Sequence, residues 1–316
     1  MTISLPATEP KRWRNQQQKG TKLCVLDASS YVGFHLLKAL LRRGYAVHAA
    51  IQTGGETEIT KKIDEMSKVE EKMEVFPIDL LDYHSIHEAL KGCSALFYCV
   101  DQAHGSCGYH ETMVDLEVKG AINALEACVQ TESIKKVIYT SSIAAGIWRE
   151  NISKQIDLDE KSWSDAEFCR KKKLWYALAK TLAEKAAWAL AADRMLNMVS
   201  VNAALIMGPG VSQHNSAATI SYLKGAPQMY EDGLLALVDI GFLINAHVCA
   251  FESTYACGRY FCFSHLVTDE EEALNLIKAL MPSITLPKRD EDKREIARPH
   301  RLRNDKLNKL LETKSS

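Results

Sequence analysis

The first half of the chain alternates between short apolar runs and longer stretches with a helical period. Residues 23–26 form an apolar run, small residues follow, and an apolar helical stripe then continues to Gly44. Further apolar runs occupy residues 46–51, 75–78, 95–100 and 136–141, with helical stretches between them. Strands that alternate with helices pair in parallel through right-handed crossovers. The alternation therefore predicts an α/β fold, a Rossmann-type doubly wound parallel sheet.

The second half of the chain follows this alternation less regularly. A polar stretch at 149–173 precedes a strong helix at 174–192 and an apolar strand at 198–207. Beyond it, the sequence predicts loops at 212–216 and 225–232, a strand at 259–263, a helix at 270–280, a charged solvated loop at 287–301 and a helical segment at 302–311. We therefore predict a disordered leader at 1–20, an NAD(P)-binding Rossmann domain at 21–207, and a region at 208–316 that is mainly a substrate-binding lobe with a C-terminal helix.

The charge balance argues against two classes of partner. The 316 residues include 39 Lys and Arg against 40 Asp and Glu, which gives a net charge of -1. A nucleic-acid binder has an electropositive footprint that this chain lacks, so neither nucleic acid nor a membrane is an expected partner. Residues 233–251 are apolar, but Asp239 and Asn245 interrupt them, and we predict a buried helix and loop there.

The nine cysteines are scattered, odd in number and without a CxxC pair. This usage is typical of a reduced, intracellular chain, and we expect a cytoplasmic protein. The ten histidines offer no pair with ligand spacing and a carboxylate partner, so no metal site is expected. The expected partner is a small-molecule substrate, and the expected assembly is a monomer or a weak dimer.

The turn between the first strand and the first helix is where a doubly wound sheet holds a pyrophosphate. A GxxGxxG loop has glycines at 27, 30 and 33, whereas this chain has Asp27, Ser30 and Gly33. Ser29 and Ser30 offer hydrogen bonds to phosphate, but an ionised Asp27 that faces the site repels it. The alternative is that Asp27 and Ser30 only cap the helix, as these residue types commonly do.

The ends of the next two strands bear on the choice of cofactor. An acid at the end of the second strand bonds the ribose of NAD, and an arginine pairs with the extra phosphate of NADP, but this chain has Gln52. NADP(H) is therefore predicted, with NAD(H) left open. Asp79 either bonds the adenine amino group or is a turn aspartate. The predicted cofactor contacts are Ser29, Ser30, Tyr31, Val32, Gln52, Asp79, Leu80, Cys99, Lys180, Ala203 and Leu205.

Tyr176 and Lys180 are four residues apart in the strongly predicted helix, so they lie on one face of it. An ammonium group near a phenol favours the phenolate, which makes the phenol a better proton donor or acceptor near neutrality. Ser142 ends the fifth predicted strand, at the sheet edge where a substrate carbonyl is expected. We predict that Ser142 bonds the substrate oxygen, Tyr176 donates the proton, and Lys180 tunes Tyr176 and holds the nicotinamide ribose. The alternative is an ordinary helix with a buried Tyr176 and a solvated Lys180.

Short segments around this helix match a known family. They read Ser162-Trp163-Ser164-Asp165, Phe168-Cys169, Trp175-Tyr176, Lys180-Thr181-Leu182-Ala183-Glu184 and Ala186-Ala187-Trp188, with Thr140-Ser141-Ser142-Ile143, Gly208-Pro209, Gly258-Arg259-Tyr260 and Asn304-Asp305-Lys306-Leu307 in addition. Residues 22–311 thereby resemble the extended short-chain dehydrogenases/reductases of plants, in particular the cinnamoyl-CoA reductase and dihydroflavonol reductase group. The resemblance implies an NADP-binding Rossmann domain with a small C-terminal substrate lobe. It also places Ser142, Tyr176 and Lys180 at the triad positions of the family.

The chain departs from that family at cofactor and substrate positions. The departures are Asp27 and Ser30 in the glycine loop, Gln52 at the NADP-selecting arginine position, Ala203 in place of a proline, Gly241-Phe242 in place of an Arg-Asp pair, and Leu174-Trp175-Tyr176-Ala177-Leu178-Ala179-Lys180 in place of a segment resembling NWYCYGK. The resemblance therefore points to a divergent cinnamoyl-CoA reductase-like branch.

Together these features predict an NADPH-dependent reductase of a carbonyl in plant specialised, phenylpropanoid-like metabolism. Whether the carbonyl belongs to an acyl-CoA thioester, an aldehyde or a ketone stays open. The alternative is a non-catalytic or weakly nucleotide-binding scaffold or sensor protein, which Asp27, Gln52 and Gly241-Phe242 favour. Residues 170–173 attract the phosphates of a CoA ester, act as a localisation signal, or form a solvated helix start. Trp148 and Trp163 either pack on an aromatic substrate or anchor the polar loop.

Overall fold

A seven-stranded parallel sheet forms the centre of the computed structural model, which describes residues 20–54, 57–101, 108–150, 157–211, 216–280 and 301–313. Its strands, in chain order, are β1 (Lys22–Leu26), β2 (Ala46–Gln52), β3 (Met73–Ile78), β4 (Ala95–Tyr98), β5 (Lys136–Ser142), β6 (Met198–Ala203) and β9 (Gly258–Cys262). Their order across the sheet is β3-β2-β1-β4-β5-β6-β9. The chain builds outward from β1 in one direction and then from β4 in the other. The predicted doubly wound parallel sheet is therefore confirmed.

Helices cover both faces of this sheet. Those of the first two thirds of the chain are α1 (Tyr31–Arg42), α2 (Glu58–Ser67), α3 (Tyr83–Leu90), α4 (Thr112–Gln130), α5 (Ala144–Ile147), α6 (Ala166–Lys171) and α7 (Trp175–Asp193). The later ones are α8 (Ser216–Leu223), α9 (Ala226–Glu231), α10 (Ile240–Glu252), α11 (Glu270–Leu280) and α12 (Asp305–Glu312). Helix α10 packs against α1 on one face, and α4 packs against α7 on the other. Each face thus buries its own apolar core.

A small second sheet lies beside the large one. It consists of β7 (Leu205–Met207), β8 (Ala236–Asp239) and β10 (His265–Leu266), in the order β10-β8-β7. The single strand predicted at 198–207 is wrong, because Ala203 is the last residue paired with β9 and Leu205 already pairs with β8. At the change of sheet, Ala203, Ala204 and Leu205 are all apolar and buried. The change of sheet therefore leaves no polar interruption in the sequence.

The region after residue 207 contributes to both sheets. The strand predicted at 259–263 is β9, and it extends the main sheet. The loop predicted at 225–232 is instead largely helix α9, which has Pro227 in its first turn, where the missing N–H costs no helical hydrogen bond. The division at residue 207 stays a prediction. The predicted leader lies outside the described residues except for Gly20, and the loop at 287–301 except for Arg301, which is buried.

The apolar stretch at 233–251 forms β8 and the largely buried helix α10. Within the described ranges, no helix is long and apolar enough to cross a bilayer. The cysteines in those ranges are free thiols, and Cys107 lies outside them.

A buried carboxylate fixes α7 against the sheet. Glu184 is fully buried and pairs with Arg259 of β9, with 2.8 Å between Oε1 and Nε. Its oxygens also accept hydrogen bonds from Ser141 of β5 at 2.8 Å and from Ser200 and Asn202 of β6, each at 2.7 Å. Three adjacent strands thus bind one carboxylate of α7. This contact sets the position of the helix that carries the predicted proton donor.

We predict that Glu184→Ala lowers the free energy of unfolding by about 3–5 kcal/mol, because Arg259 would stay buried without its charge partner. Urea unfolding followed by circular dichroism measures the change. The control is Glu126→Ala in α4, since Glu126 forms only a partly exposed pair with Arg194 at 3.8 Å. The control should lose less than about 1 kcal/mol. Equal losses in the two variants would contradict this account.

Candidate active site

A cavity of about 550 Å³ opens at the carboxyl end of the parallel strands. It lies where the strand order reverses between β1 and β4, the usual ligand position in a doubly wound sheet. Of the predicted site residues, the cavity is lined by Ser30, Tyr31, Val32, Cys99, Tyr176, Lys180, Ala203 and Leu205. The predicted residues Ser29, Gln52, Asp79, Leu80 and Ser142 do not line it.

The turn after β1 holds a buried carboxylate. Asp27 has φ +66°, the left-handed conformation that favours glycine, and its side chain is buried. Its Oδ1 accepts a hydrogen bond from the Ser29 hydroxyl at 2.7 Å, and its Oδ2 accepts from Gln52 Nε2 at 2.7 Å and from the Asp101 N–H at 3.2 Å. Asp27 therefore links the ends of β2, β1 and β4. Asp27 and Gln52, two residues at which the chain departs from the family pattern, therefore contact each other.

Burial raises the pKa of Asp27 above its ordinary value and outweighs the hydrogen bonds from Ser29, the Asp101 N–H and Gln52, which lower it. The Asp27 carboxylate occupies the hydrogen-bond donors at this end of the site, which are Ser29, Gln52 and the Asp101 N–H. A phosphate or ribose oxygen that binds there must compete with Asp27 for them. At neutral pH, any negative charge on Asp27 also repels a phosphate, as the sequence predicts.

The remainder of the turn retains the geometry of a nucleotide loop. Ser30 is the N-cap of α1, where its Oγ accepts from the Gly33 N–H at 3.0 Å and donates to the Cys99 carbonyl at 2.8 Å. A Cβ at Gly33 would lie 2.1 Å from the Asp27 carbonyl oxygen, so only glycine allows this approach of helix to strand. The start of α1 points its N–H groups toward the cavity end that Tyr31 and Val32 line. These residues fit a dinucleotide, and the carboxyl group of Asp27 is the feature that opposes tight binding.

Asp79 is a turn aspartate in the structure, which is the alternative to adenine binding. Its Oδ1 accepts a hydrogen bond from the Leu81 N–H at 2.8 Å, and its N–H donates to the Ser85 hydroxyl at 3.0 Å. The Asp79 side chain is exposed, whereas Leu80 is buried in the core between α3 and α4. Adenine binding by this segment stays a prediction.

Helix α7 and the end of β5 bring the three predicted catalytic residues together. The Ser142 side chain is close enough to the Tyr176 phenol to lower its pKa, and the Lys180 ammonium lies 5.7 Å from the centroid of the Tyr176 ring. Burial raises the pKa of Tyr176 above its ordinary value, although Lys180 and Ser142 both act to lower it. The phenol is therefore protonated at neutral pH. Such a site presents a proton donor beside the cavity.

Lys180 is buried rather than solvated, and it has a partner that the sequence reading missed. Its Nζ lies 2.5 Å from Oε1 of Glu117, a fully buried residue of α4. The other oxygen, Oε2, accepts a hydrogen bond from the Tyr109 hydroxyl at 2.8 Å. Burial alone would lower the pKa of Lys180, but Glu117, with Tyr176 and Asp101, raises it above its ordinary value. Lys180 is therefore firmly charged.

A pattern in the sequence locates Glu117. The buried positions of α4 include Met113, Val114, Gly120 and Ala121, which follow a helical period, and Glu117 falls on the same stripe. A charged residue on an apolar stripe must have a buried partner or lose its charge. The stripe therefore signals a buried ion pair, although it does not identify Lys180 as the partner.

A second cavity of about 320 Å³ lies on the other side of Tyr176. Its walls include Trp148, Trp175 and Tyr222, and Lys173 and Lys224 also line it. The Trp148 ring fills the space beside Gly225, where a Cβ would lie 2.4 Å from it. Trp163 packs against the protein as well, because the Arg259 guanidinium lies 3.7 Å from its ring centroid.

Comparison with known proteins places the chain in a family. The model of the 3-beta hydroxysteroid dehydrogenase/isomerase family matches residues 24–261. The chain belongs to this family. The prediction of an oxidoreductase is thereby confirmed at the level of the family.

Curated relatives of this chain include plant reductases. A cinnamoyl-CoA reductase of Medicago truncatula, CAD2, is 31% identical over 303 residues, which cover 92% of this chain and 90% of the relative. A dihydroflavonol 4-reductase of Zea mays is 30% identical over 308 residues, which cover 95% and 85% of the two chains. The predicted resemblance to this group is confirmed.

Solved structures agree with the fold of this chain. Vestitone reductase from alfalfa superposes with a TM-score of 0.66 at 26% identity, covering 92% of this chain and 91% of the other. Yeast methylglyoxal/isovaleraldehyde reductase Gre2, in complex with NADPH, gives a TM-score of 0.70 at 19% identity, with 92% and 93% covered. At that identity the Gre2 likeness is one of fold alone.

We predict that Asp27→Gly tightens the binding of NADP⁺ by roughly tenfold, because it removes a carboxylate and releases Gln52, Ser29 and the Asp101 N–H to the nucleotide. Asp27→Asn, which removes only the charge, should give an intermediate gain. Isothermal titration calorimetry measures the dissociation constants. Unchanged or weaker binding in Asp27→Gly would refute the idea that this residue opposes the nucleotide.

The same carboxyl group predicts a pH dependence. Because the pKa of Asp27 is raised, the group takes up a proton as the pH falls from neutrality, and repulsion of phosphate disappears. We therefore expect the affinity advantage of Asp27→Gly over the wild type to shrink on acidification. The nucleotide phosphates titrate equally in both experiments, so the ratio of the two dissociation constants is the informative quantity. A ratio independent of pH would show that charge is not the cause.

Proposed function

We propose that this chain is a cytoplasmic NADPH-dependent reductase of a carbonyl group in a small molecule of plant specialised, phenylpropanoid-like metabolism. The observation that carries the proposal is that Tyr176 and Lys180 line one cavity at the carboxyl end of the sheet and that Ser142 lies next to Tyr176. The relatives support it, because cinnamoyl-CoA reductase and dihydroflavonol 4-reductase both reduce carbonyl compounds.

The three side chains divide the chemistry between them. The Ser142 hydroxyl donates a hydrogen bond to the substrate carbonyl oxygen and orients it. A bound NADPH supplies the hydride for the carbonyl carbon. The Tyr176 phenol gives its proton to the oxygen as negative charge develops there, and the Lys180 ammonium stabilises the phenolate that remains. Because the pKa of Tyr176 is raised, the phenol carries the proton that reduction requires.

The second cavity supports an aromatic substrate. Trp148, Trp175 and Tyr222 line it together with Tyr176, and aromatic side chains favour a planar substrate ring, whose side-chain carbonyl would then lie near the phenol. Lys173 and Lys224 add positive charge to the same cavity and favour an anionic substrate such as a CoA ester. A thioester gives an aldehyde after loss of CoA, whereas a ketone or aldehyde gives an alcohol.

The second candidate is a nucleotide sensor or scaffold without turnover. The bond between the Asp27 carboxylate and Gln52 favours it, because this contact opposes the nucleotide at the glycine loop. A thermal-shift titration with NADPH and NADH tests whether the chain binds nucleotide. No response to either nucleotide at millimolar concentration supports the scaffold, whereas a rise in melting temperature together with NADPH oxidation in the turnover assay below supports the reductase over a sensor.

We predict that Tyr176→Phe reduces turnover by about 10²–10⁴-fold, because it removes the proton donor and leaves the ring in place. NADPH oxidation with a panel of acyl-CoA esters, aldehydes and ketones measures the rate. NADPH affinity should stay nearly unchanged, since the cavity keeps its shape.

The matched control is Tyr255→Phe, because Tyr255 is an exposed residue far along the chain from the cavity. It should keep the wild-type rate. Turnover of Tyr176→Phe at the wild-type rate would remove Tyr176 from the mechanism.

A further inference from the structure

The buried Glu117 has no part in the mechanism described above, yet it touches the residue that tunes the proton donor. Its Oε1 lies 2.5 Å from Lys180 Nζ, and neither side chain has appreciable exposure. Removing two charges from water costs free energy, so a buried pair of this kind is stable only where each charge has close partners. Lys180 also donates to the Val100 carbonyl, at a longer distance of 3.4 Å.

The lysine lies between two aromatic rings. Its Nζ is 5.7 Å from the ring centroid of Tyr176 and 5.9 Å from that of Tyr109, and the two rings meet edge to face at 5.0 Å. Glu117 therefore holds both residues, because its carboxylate pairs with the Lys180 ammonium and accepts a hydrogen bond from the Tyr109 hydroxyl. The carboxylate is therefore one side chain away from the phenol.

The charge on Glu117 opposes the charge on Lys180 at the phenol. Lys180 favours the phenolate of Tyr176, and the negative charge of Glu117 favours the protonated phenol. A lysine without this partner would make the phenol more acidic. With the partner, the phenol keeps its proton to higher pH.

From these contacts we propose that Glu117 is a positioning residue that holds Lys180 by charge and keeps the Tyr176 phenol protonated, which extends carbonyl reduction to higher pH and suppresses alcohol oxidation at neutral pH. The inference rests on the proposed reductase function for its effect on rates. Its effect on the phenol itself does not depend on turnover.

Other groups face the same carboxylate and lysine. From β4 and β5, the buried phenols of Tyr98 and Tyr139 lie within the electrostatic reach of Glu117. From the end of β4, Asp101 interacts with Lys180. All three remain in place when Glu117 is replaced, so the change in charge at position 117 is the variable that the experiment isolates.

The test measures the proton affinity of the phenol in the protein without substrate. Tyrosine labelled at Cζ is incorporated, and NMR follows with pH the resonance that Tyr176→Phe removes. In Glu117→Gln the Tyr176–Lys180 pair has lost a negative neighbour, so it should release its first proton at least about one pH unit lower than in the wild type. An unchanged titration would overturn the proposal.

The control keeps the helix and the chemistry of the substitution. Glu126→Gln also lies in α4 but pairs with Arg194, at the far end of α7 from Tyr176. It should leave the titration of Tyr176 at its wild-type position. If Glu117→Gln does not give a folded circular dichroism spectrum, Glu117→Asp replaces it, because that variant keeps the charge and withdraws it from Lys180 by one methylene. A smaller shift in the same direction supports the proposal, and none overturns it.

Rates give the second readout. The alkaline limb of kcat/KM for reduction should move to lower pH in Glu117→Gln, and oxidation of the product alcohol should become faster at neutral pH. A loss of stability alone would lower both rates without moving the limb. If the wild type reduces no carbonyl compound, the proposed function fails, while the NMR titration still decides the role of Glu117.

Discussion

The packing of α4 against α7 is the contact on which the site depends. The buried faces of these helices carry small residues, among them Gly120 and Ala124 on α4 and Ala183 and Ala187 on α7. Small side chains let two helix backbones approach closely and exclude water. Oppositely charged side chains that project into this contact must therefore pair, as Lys180 does with Glu117. Helix packing, rather than a flexible loop, sets the charge beside the proton donor.

The opposite end of the cavity depends on a second carboxylate. Asp27 accepts hydrogen bonds from its own turn, from Gln52 at the end of β2 and from Asp101 after β4. In this arrangement a side chain supplies the acceptor oxygens that a nucleotide would otherwise bring to the turn. The turn is thus satisfied without a ligand, and binding becomes an exchange of acceptors, whose balance depends on the protonation of Asp27.

The periodicity of the sequence was sufficient to predict the main sheet, because fully buried parallel strands and amphipathic helices have different hydrophobic repeats. The spacing of Tyr176 and Lys180 likewise placed both on one face of α7. The contact between Asp27 and Gln52 was out of reach, since the two are 25 positions apart and each departs from the expected residue type separately. The pairing of Glu117 with Lys180 could not be predicted for a related reason, because a stripe indicates that a carboxylate is buried but does not indicate its partner. The boundary between β6 and β7 left no trace because apolar residues continue across it.

The two carboxylates are joined through the residue between them. The Asp101 N–H donates to Asp27, and the Asp101 carboxylate lies 3.1 Å from the Tyr109 hydroxyl, whose one proton goes either to Asp101 or to Glu117. These contacts form a path from the turn after β1 to the ion pair of Lys180. Since Asp101 is only partly buried, this path also reaches solvent. A ligand that takes the Asp101 N–H from Asp27 would therefore act on a residue whose side chain contacts Tyr109, the ring that lies against Tyr176.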